Sequence, residues 1–185
     1  PLIFAATGEL VAERSGVLNL GVEGMMLMGA VSAFATALGT GSIWLAIIAG
    51  GVAGALTGAV FALFALGFAT NQFATGLALT IFGTGLSGLV GAPLVGHAID
   101  GLPQLIIPVL SGLPVIGPLL FSLDIMAYLA FALLAGVAWF LKRTRGGLVL
   151  RAVGDNHDSA HALGYSVLGV RFVAILFGGM MAGLG

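Results

Sequence analysis

The chain has 185 residues, 59% of them hydrophobic and only 7% charged, with a formal net charge of −1 and a mean hydropathy of +1.18. A soluble domain carries about a quarter charged residues, so this composition excludes one, and apolar runs of about 18 residues or more read as membrane spans. The near-neutral charge leaves no basic footprint for nucleic acid, and the absence of Cys excludes disulfides and thiolate chemistry.

The 31 glycines lie mostly inside the apolar runs, which suits membrane helices whose backbones approach closely. The expected architecture is all-α: a single polytopic transmembrane domain over residues 1–185, with about five to six membrane segments, one of them broken or re-entrant. The chain starts at Pro1 and stops at Gly185 within an apolar run, and is read as a piece of a longer protein. The opening PLIFAA has no charged leader, so no signal peptide is expected.

Residues 1–7 read as the end of a helix. Residues 8–16, GELVAERSG, carry Glu9, Glu13 and Arg14 and must meet water or a polar interior. The apolar run 17–38 opens on VLNLGVEGMM, with Asn19, Glu23 and two Gly, and its clean part is too short to span alone. Either the Asn19 segment enters the membrane against protein or water, or the run is re-entrant; non-helical backbone at depth is tolerated only in such surroundings. A GTGS turn at 39–42 precedes a long run, 43–68, of roughly 39 Å at 1.5 Å per residue. Within it Gly50, Gly54 and Gly58 fall every fourth residue and mark a close-packing stripe. Residues 69–72, ATNQ, break it, and 73–92 span again.

Residues 93–124 hold five of the six Pro, together with His97, Asp100 and Gln104, and read as a surface excursion between spans. Residues 125–141 are the next span, with Asp124 at its N-cap. The stretch 142–171 follows as a polar loop containing five of the six Lys and Arg. A further span begins at residue 173. Lys142, Arg143, Arg145 and Arg151 lie just past a span, which makes that loop cytoplasmic. Four crossings separate them from Arg14, so Arg14 shares their side, and residues 39–42 and 93–124 lie outside.

Within the loop, DNHDSAHALG at 155–164 reads as a short helix, with Asp155 as N-cap, Asp158 adding negative charge to the first turn and Gly164 at C′. Ala160 and Leu163 share a face. Such a helix is a docking element for a soluble partner or a solvated connector, and the residues alone do not choose. His157 and His161 stand at the spacing of the zinc-protease pattern H-E-x-x-H, with Asp158 in place of Glu. No third ligand is evident and Asp is one methylene short, so no metal is expected there. Residues 83–88 match G-x-G-x-x-G inside an apolar span with no preceding strand, and helix packing explains them. Glu23, a carboxylate at membrane depth, is a functional candidate by default. The preferred reading is structural: it holds a broken helix against Asn19 or backbone amides. Asn71 and Gln72 either line a path or cap a span at the interface, the second being preferred.

Three stretches carry a resemblance to a known family. GELVAERSGVLNLGVEGMMLMGA, ATNQFATGLAL, and GLVLRAVGDNHDSAHALGYSV followed by R-F-V, resemble the permease subunits of bacterial ABC importers of the branched-chain amino acid and simple-sugar type, most closely the nucleoside and simple-sugar members. The resemblance runs over nearly the whole chain in the right order. It implies a multi-pass protein of the bacterial plasma membrane, surrounded by lipid and paired with a second permease, identical or homologous. It also implies ABC ATPase subunits beneath and an extracytoplasmic substrate-binding protein or lipoprotein above. ATP and Mg would belong to the partner ATPase, with no cofactor in this chain.

In such importers a cytoplasmic coupling helix sits in a groove of the ATPase. The matching stretch is 151–164, with Arg151, Asp155, Asp158, Ser159, Ala160, Ala162, Leu163 and Gly164 as the contact residues. Asn19, Glu23, Asn71 and Gln72 are the candidates for the translocation path or the broken helix. The chain has no G-x-x-x-x-G-K-[ST] loop and is expected to be no enzyme itself. The sparse polarity of its spans predicts weak substrate contacts, with selectivity left mostly to the binding protein. The rivals are an ATPase-independent secondary transporter or channel, which needs ion-coordinating groups in the spans, a metalloprotease using the two His, and a purely structural subunit.

Overall fold

The computed structural model describes residues 1–99, 101 and 124–185. In chain order the helices are α1 (Leu2–Arg14), α2 (Val22–Thr40), α3 (Ile43–Ala62), α4 (Gln72–Gly91), α5 (Ile125–Arg143), α6 (Arg145–Asp155), α7 (His157–Ala162) and α8 (Val167–Leu184). A π-helical turn, Leu63–Gly67, prolongs α3, and a 3-10 turn, Ala92–Leu94, ends α4. Among the described residues five segments are long and apolar enough to cross a membrane: Val22–Thr40, Ile43–Gly67, Gln72–Leu94, Ile125–Arg143 and Val167–Leu184. The expected all-α polytopic bundle is the observed one. Of the excursion at 93–124, residues 100 and 102–123 lie outside the described residues.

Local chemistry sets the helix starts. The side chains of Ser42, Asn71, Thr144, Asn156 and Ser166 each accept a hydrogen bond from a backbone N–H in the first turn that follows. Those N–H groups have no partner within the helix, so each cap satisfies a donor that membrane or interface would otherwise strand.

The last helix, α8, is the centre of the bundle. It runs antiparallel to α1, with Gly8 against Gly178 and Met181, and antiparallel to α3, with Gly50, Gly54 and Gly58 against Gly183, Gly179 and Ile175. The predicted glycine stripe of α3 is therefore one side of a zipper whose other side is Gly179 and Gly183. A Cβ on Gly183 would meet the Gly50 carbonyl and stand 2.9 Å from Gly54 Cα, and one on Gly29 would stand 2.5 Å from Gly183 Cα. Three helices thus meet at Gly183 backbone to backbone. In lipid no hydrophobic force drives helices together, so such close contact supplies the attraction. α4 lies on α2 through Gly21 and Gly24 against Leu79, and Gly83 against Gly24. α5 rests on α1 and α6 through Val137 and Leu141, packed with Val11, Leu150 and Ala174.

Several local expectations are corrected. The first helix does not end at residue 7: α1 continues to Arg14, with Glu13 and Arg14 exposed at its end, as the need of residues 8–16 for water or a polar interior requires. The loop 142–171 is mostly helical, since α5 runs on to Arg143 and α6, α7 and the start of α8 fill the rest. Asp155 does not cap the short helix, because it is the last residue of α6. The cap falls to Asn156, whose extended backbone (φ −152°) starts α7 and whose Oδ1 accepts from Ser159 N at 2.9 Å. Asp124 occupies the N-cap position of α5 without a side-chain capping bond.

The zipper makes a sharp forecast. Gly183→Val in the full-length protein must push α3 from α8 and is expected to cost about 3 kcal/mol, a fall of roughly 6–12 °C in melting temperature in detergent. Gly85→Ala and Gly88→Ala, where a Cβ would meet nothing within 4 Å, are expected to leave it unchanged. Equal effects at the two sites would contradict the zipper.

Candidate functional site

The first polar feature is the break between α1 and α2, residues 15–21. The chain leaves α1 at Ser15, turns through Gly16 in the left-handed region (φ +84°), and folds back along the helix it has just left. Asn19 N then donates to Glu9 Oε1 at 3.1 Å. Glu9 precedes Ser15 by six residues of helix, about 9 Å, so Asn19 stands well inside the bundle, and it is buried. The broken or re-entrant segment expected from the sequence is thus a non-helical return that buries Ser15, Val17, Asn19 and Gly21 and leaves Gly16, Leu18 and Leu20 exposed.

Its polar groups are met by side chains from several helices. Leu18 N donates to Gln72 Oε1 at 2.9 Å, Thr80 Oγ1 donates to Leu20 O at 2.9 Å, and Arg171 Nε donates to Ser15 O at 3.1 Å. Asn19 serves the break itself: its Oδ1 accepts from Gly21 N at 2.9 Å, and its Nδ2 points to Met25 Sδ at 3.5 Å. Gly76 is small because the Leu20 and Gly21 backbone passes there, 2.7 Å and 3.0 Å from where a Cβ would sit.

The predicted residues separate. Asn19 and Gln72 belong to the break. Asn71 caps α4, accepting from Phe73 N at 3.0 Å and Ala74 N at 3.2 Å, and is exposed. The structural role assigned to Glu23 belongs to Glu9. Glu23 is exposed in the first turn of α2 and makes no capping bond. It shares one face of α2 with Ala30, Phe34 and Ala37, at helical spacings of seven, four and three. The upper part of that face lines a cleft of about 340 Å³ with Ile43, Ala46, Ile99 and Met126.

The second feature is the arm formed by α6 and α7. α6 buries Gly147, Leu150 and Val153 at i, i+3, i+6, and Gly147 sits against Phe140 O and Leu141 Cα. Arg151 is half-buried, its Nε 3.4 Å from Gly147 O. Asp155 is exposed. In α7 only Ala160 is buried, while Asp158, Ser159, Ala162, Leu163 and Gly164 face out, Leu163 being 77% exposed. Gly164, at φ +86°, turns the chain so that Tyr165 N reaches Ala160 O at 3.1 Å. Ala160 and Leu163, expected on one face, therefore divide into an inner anchor and an outer surface. His157 and His161 are both exposed, and His157 Nε2 lies 3.5 Å from Asp158 Oδ1. Among the described residues no three His, Cys, Asp or Glu side chains gather as a metal site.

Sequence reasoning missed Glu9, Thr80 and Arg171 as parts of this arrangement. The available signals were a lone acid inside the apolar part of α1 and a lone Arg inside the apolar start of α8.

The whole chain, residues 1–185, matches the family model described as branched-chain amino acid transport system / permease component. A protein of Haloferax volcanii, provisionally named a glucose ABC transporter permease, is 39% identical over 98% of this chain and 56% of its own length. The guanosine ABC transporter permease of Bacillus subtilis is 33% identical over 100% of this chain and 62% of its own. The nucleoside ABC transporter permease of Lactococcus lactis subsp. cremoris is 31% identical over the same shares, 100% and 62%. The chain therefore spans little more than half the length of these relatives. No solved structure matches it.

The break makes its own forecast. Glu9→Leu strands the Asn19 N–H and is expected to cost about 1–3 kcal/mol of stability. Glu9→Gln keeps an accepting oxygen and is expected to cost less than half as much. Thermal unfolding of both full-length variants in detergent checks this, and equal losses would show that the bond to Asn19 contributes nothing.

Proposed function

Since the chain belongs to the branched-chain amino acid transport permease family, we propose that it is the membrane-embedded part of an ATP-driven ABC importer for nucleosides or simple sugars. The observation that carries this reading is the arm. α7 stands at the end of the bundle where the six Lys and Arg gather, anchored inward by Ala160 and offering Asp158, Ser159, Ala162, Leu163 and Gly164 outward. Arg151 and Asp155 flank it. A short, firmly seated helix with an exposed edge is suited to a groove on an ATPase subunit. The relatives named as ABC permeases favour this over an ATPase-independent transporter or channel.

The proposed assembly contains ABC ATPase subunits, a second permease and an extracytoplasmic substrate-binding protein, in a bacterial plasma membrane. ATP and Mg act on the ATPase partner. The relatives' named substrates, glucose and guanosine, share a hydroxyl-bearing sugar ring. On this reading Glu23 lines the path: an exposed carboxylate at membrane depth needs water or a hydroxyl-rich ligand beside it, and its helix face leads to the 340 Å³ cleft. Asn19 and Gln72 shape the path by holding the break, and Asn71 fixes the start of α4. The apolar lining of that cleft fits weak substrate contact, with selection left mostly to the binding protein.

A Ser159→Cys permease is expected to cross-link to its ATPase in membranes, with a yield that changes on adding ATP; no cross-link from Ser159 or its neighbours, with both subunits folded, would overturn the docking role. Glu23→Gln is expected to lower import at limiting substrate by about tenfold, the loss of one charge-assisted hydrogen bond of about 1.5 kcal/mol, with melting temperature unchanged. A melting temperature that falls with import would make Glu23 structural instead.

A further inference from the structure

We propose that the Gly154 contact and the Arg171–Ser15 bond form a relay that carries movement of the α6–α7 arm into the break at residues 15–21, and so into α1 and α4. The proposal rests on the reading of α7 as the ATPase-docking element.

The first link is backbone on backbone. Gly154, one residue from the end of α6, lies so close to the end of α1 that a Cβ there would meet the Arg14 carbonyl and stand 3.1 Å from Gly16 N. From the other side, a Cβ on Gly16 would stand 3.2 Å from Gly154 Cα and 3.1 Å from Arg171 Nη2. No side chain lies between the two segments to absorb a displacement by changing rotamer, and packed interiors transmit strain. The second link is Arg171, which enters from α8 and donates to Ser15 O at 3.1 Å. Residues 15 and 16 are thus gripped between α6 and α8, and Ser15 and Val17 are fully buried.

The output side is equally defined. Past Val17 the break is bonded to Gln72 and Thr80 of α4 and to Glu9 of α1. Those three bonds leave the segment through Leu18, Asn19 and Leu20, within five residues of the two input contacts. The input end stands at the root of the arm, and the output end stands beside the start of α2, where Leu20 and Glu23 are exposed. Gly154 and Arg171 are positioning residues in this scheme and touch no substrate.

The test uses the full-length permease with its ATPase, reconstituted on a Cys-free background, with spin labels at Ser159 or Leu20 paired with one at exposed Trp44 at the far end. Distances are read by pulsed EPR with and without ATP. In the parent both pairs are expected to shift. In Gly154→Ala and Arg171→Gln the Ser159 shift is expected to persist and the Leu20 shift to vanish. Import per ATP hydrolysed is expected to fall at least fivefold while hydrolysis stays within twofold. Arg171→Lys, which keeps one donor for Ser15 O, is expected to recover at least half of the lost coupling. If Gly154→Ala fails to fold, the Arg171 pair carries the test. A shift at Ser159 with none at Leu20 in the parent, or a Leu20 shift and coupling ratio unchanged in the folded variants, overturns the relay alone. No shift at Ser159 in the parent overturns the docking reading beneath it.

Discussion

A peptide unit that leaves a helix inside an apolar bundle finds no water to bond, and every such unit must be met by protein. Residues 15–21, whose buried side holds Ser15, Val17, Asn19 and Gly21, impose that demand on this fold. Glu9, Gln72, Thr80 and Arg171 come from α1, α4 and α8, and each is bound to a different backbone atom of the same short segment. Moving any of these helices along its axis would break a bond that nothing nearby replaces. The break therefore fixes the relative heights of three helices. In a chain with only 7% charged residues, two of the charged groups are committed to it.

The glycines solve the complementary problem of holding helices together where burial of apolar surface contributes nothing. At Gly183, three helices approach to backbone contact, so even one methyl there would displace a carbonyl. Lateral rigidity in the middle of the bundle comes from this zipper, and vertical register comes from the break. The two devices meet on α8, which carries Gly179 and Gly183 near one end and Arg171 near the other. That double duty explains why a helix of 18 residues can be the hub of the described structure.

The spans were legible in the sequence because length and hydropathy decide them with no knowledge of packing, and the break was legible because Asn19, Gly21, Glu23 and Gly24 cannot continue a lipid-facing helix cheaply. What failed was direction. Sequence shows that a carboxylate at depth is costly but not which way it points, so Glu23 was given the task that Glu9 performs. Residues 145–155 read as loop because three Gly and two Arg dilute them. Their signal was the buried spacing of Gly147, Leu150 and Val153, which requires Gly147 to count as a packing residue. Asp155 and Asn156 are both good caps, and the choice fell to Asn156 only because α6 extends far enough to take Asp155 as its last residue. The likeness of residues 151–164 to a coupling segment concealed that this stretch is two helices.

That division bears on how force could enter the bundle. A single straight helix from 151 to 164 would share one rigid axis, and contact at its outer end would lever its inner end. With Asn156 in extended conformation between them, α7 and α6 have separate axes, and α7 is tied back by Ala160 to the turn at Gly164 and so to α8. A push on α7 thus has two routes: through Asn156 into α6 and its contact at Gly154, and through Gly164 into α8 and its bond at Arg171. Both routes end at Ser15 and Gly16. Convergence of two inputs on two adjacent residues, the second of which adopts a left-handed conformation that a side chain would strain, places a backbone that tolerates little substitution where the arm and the bundle meet.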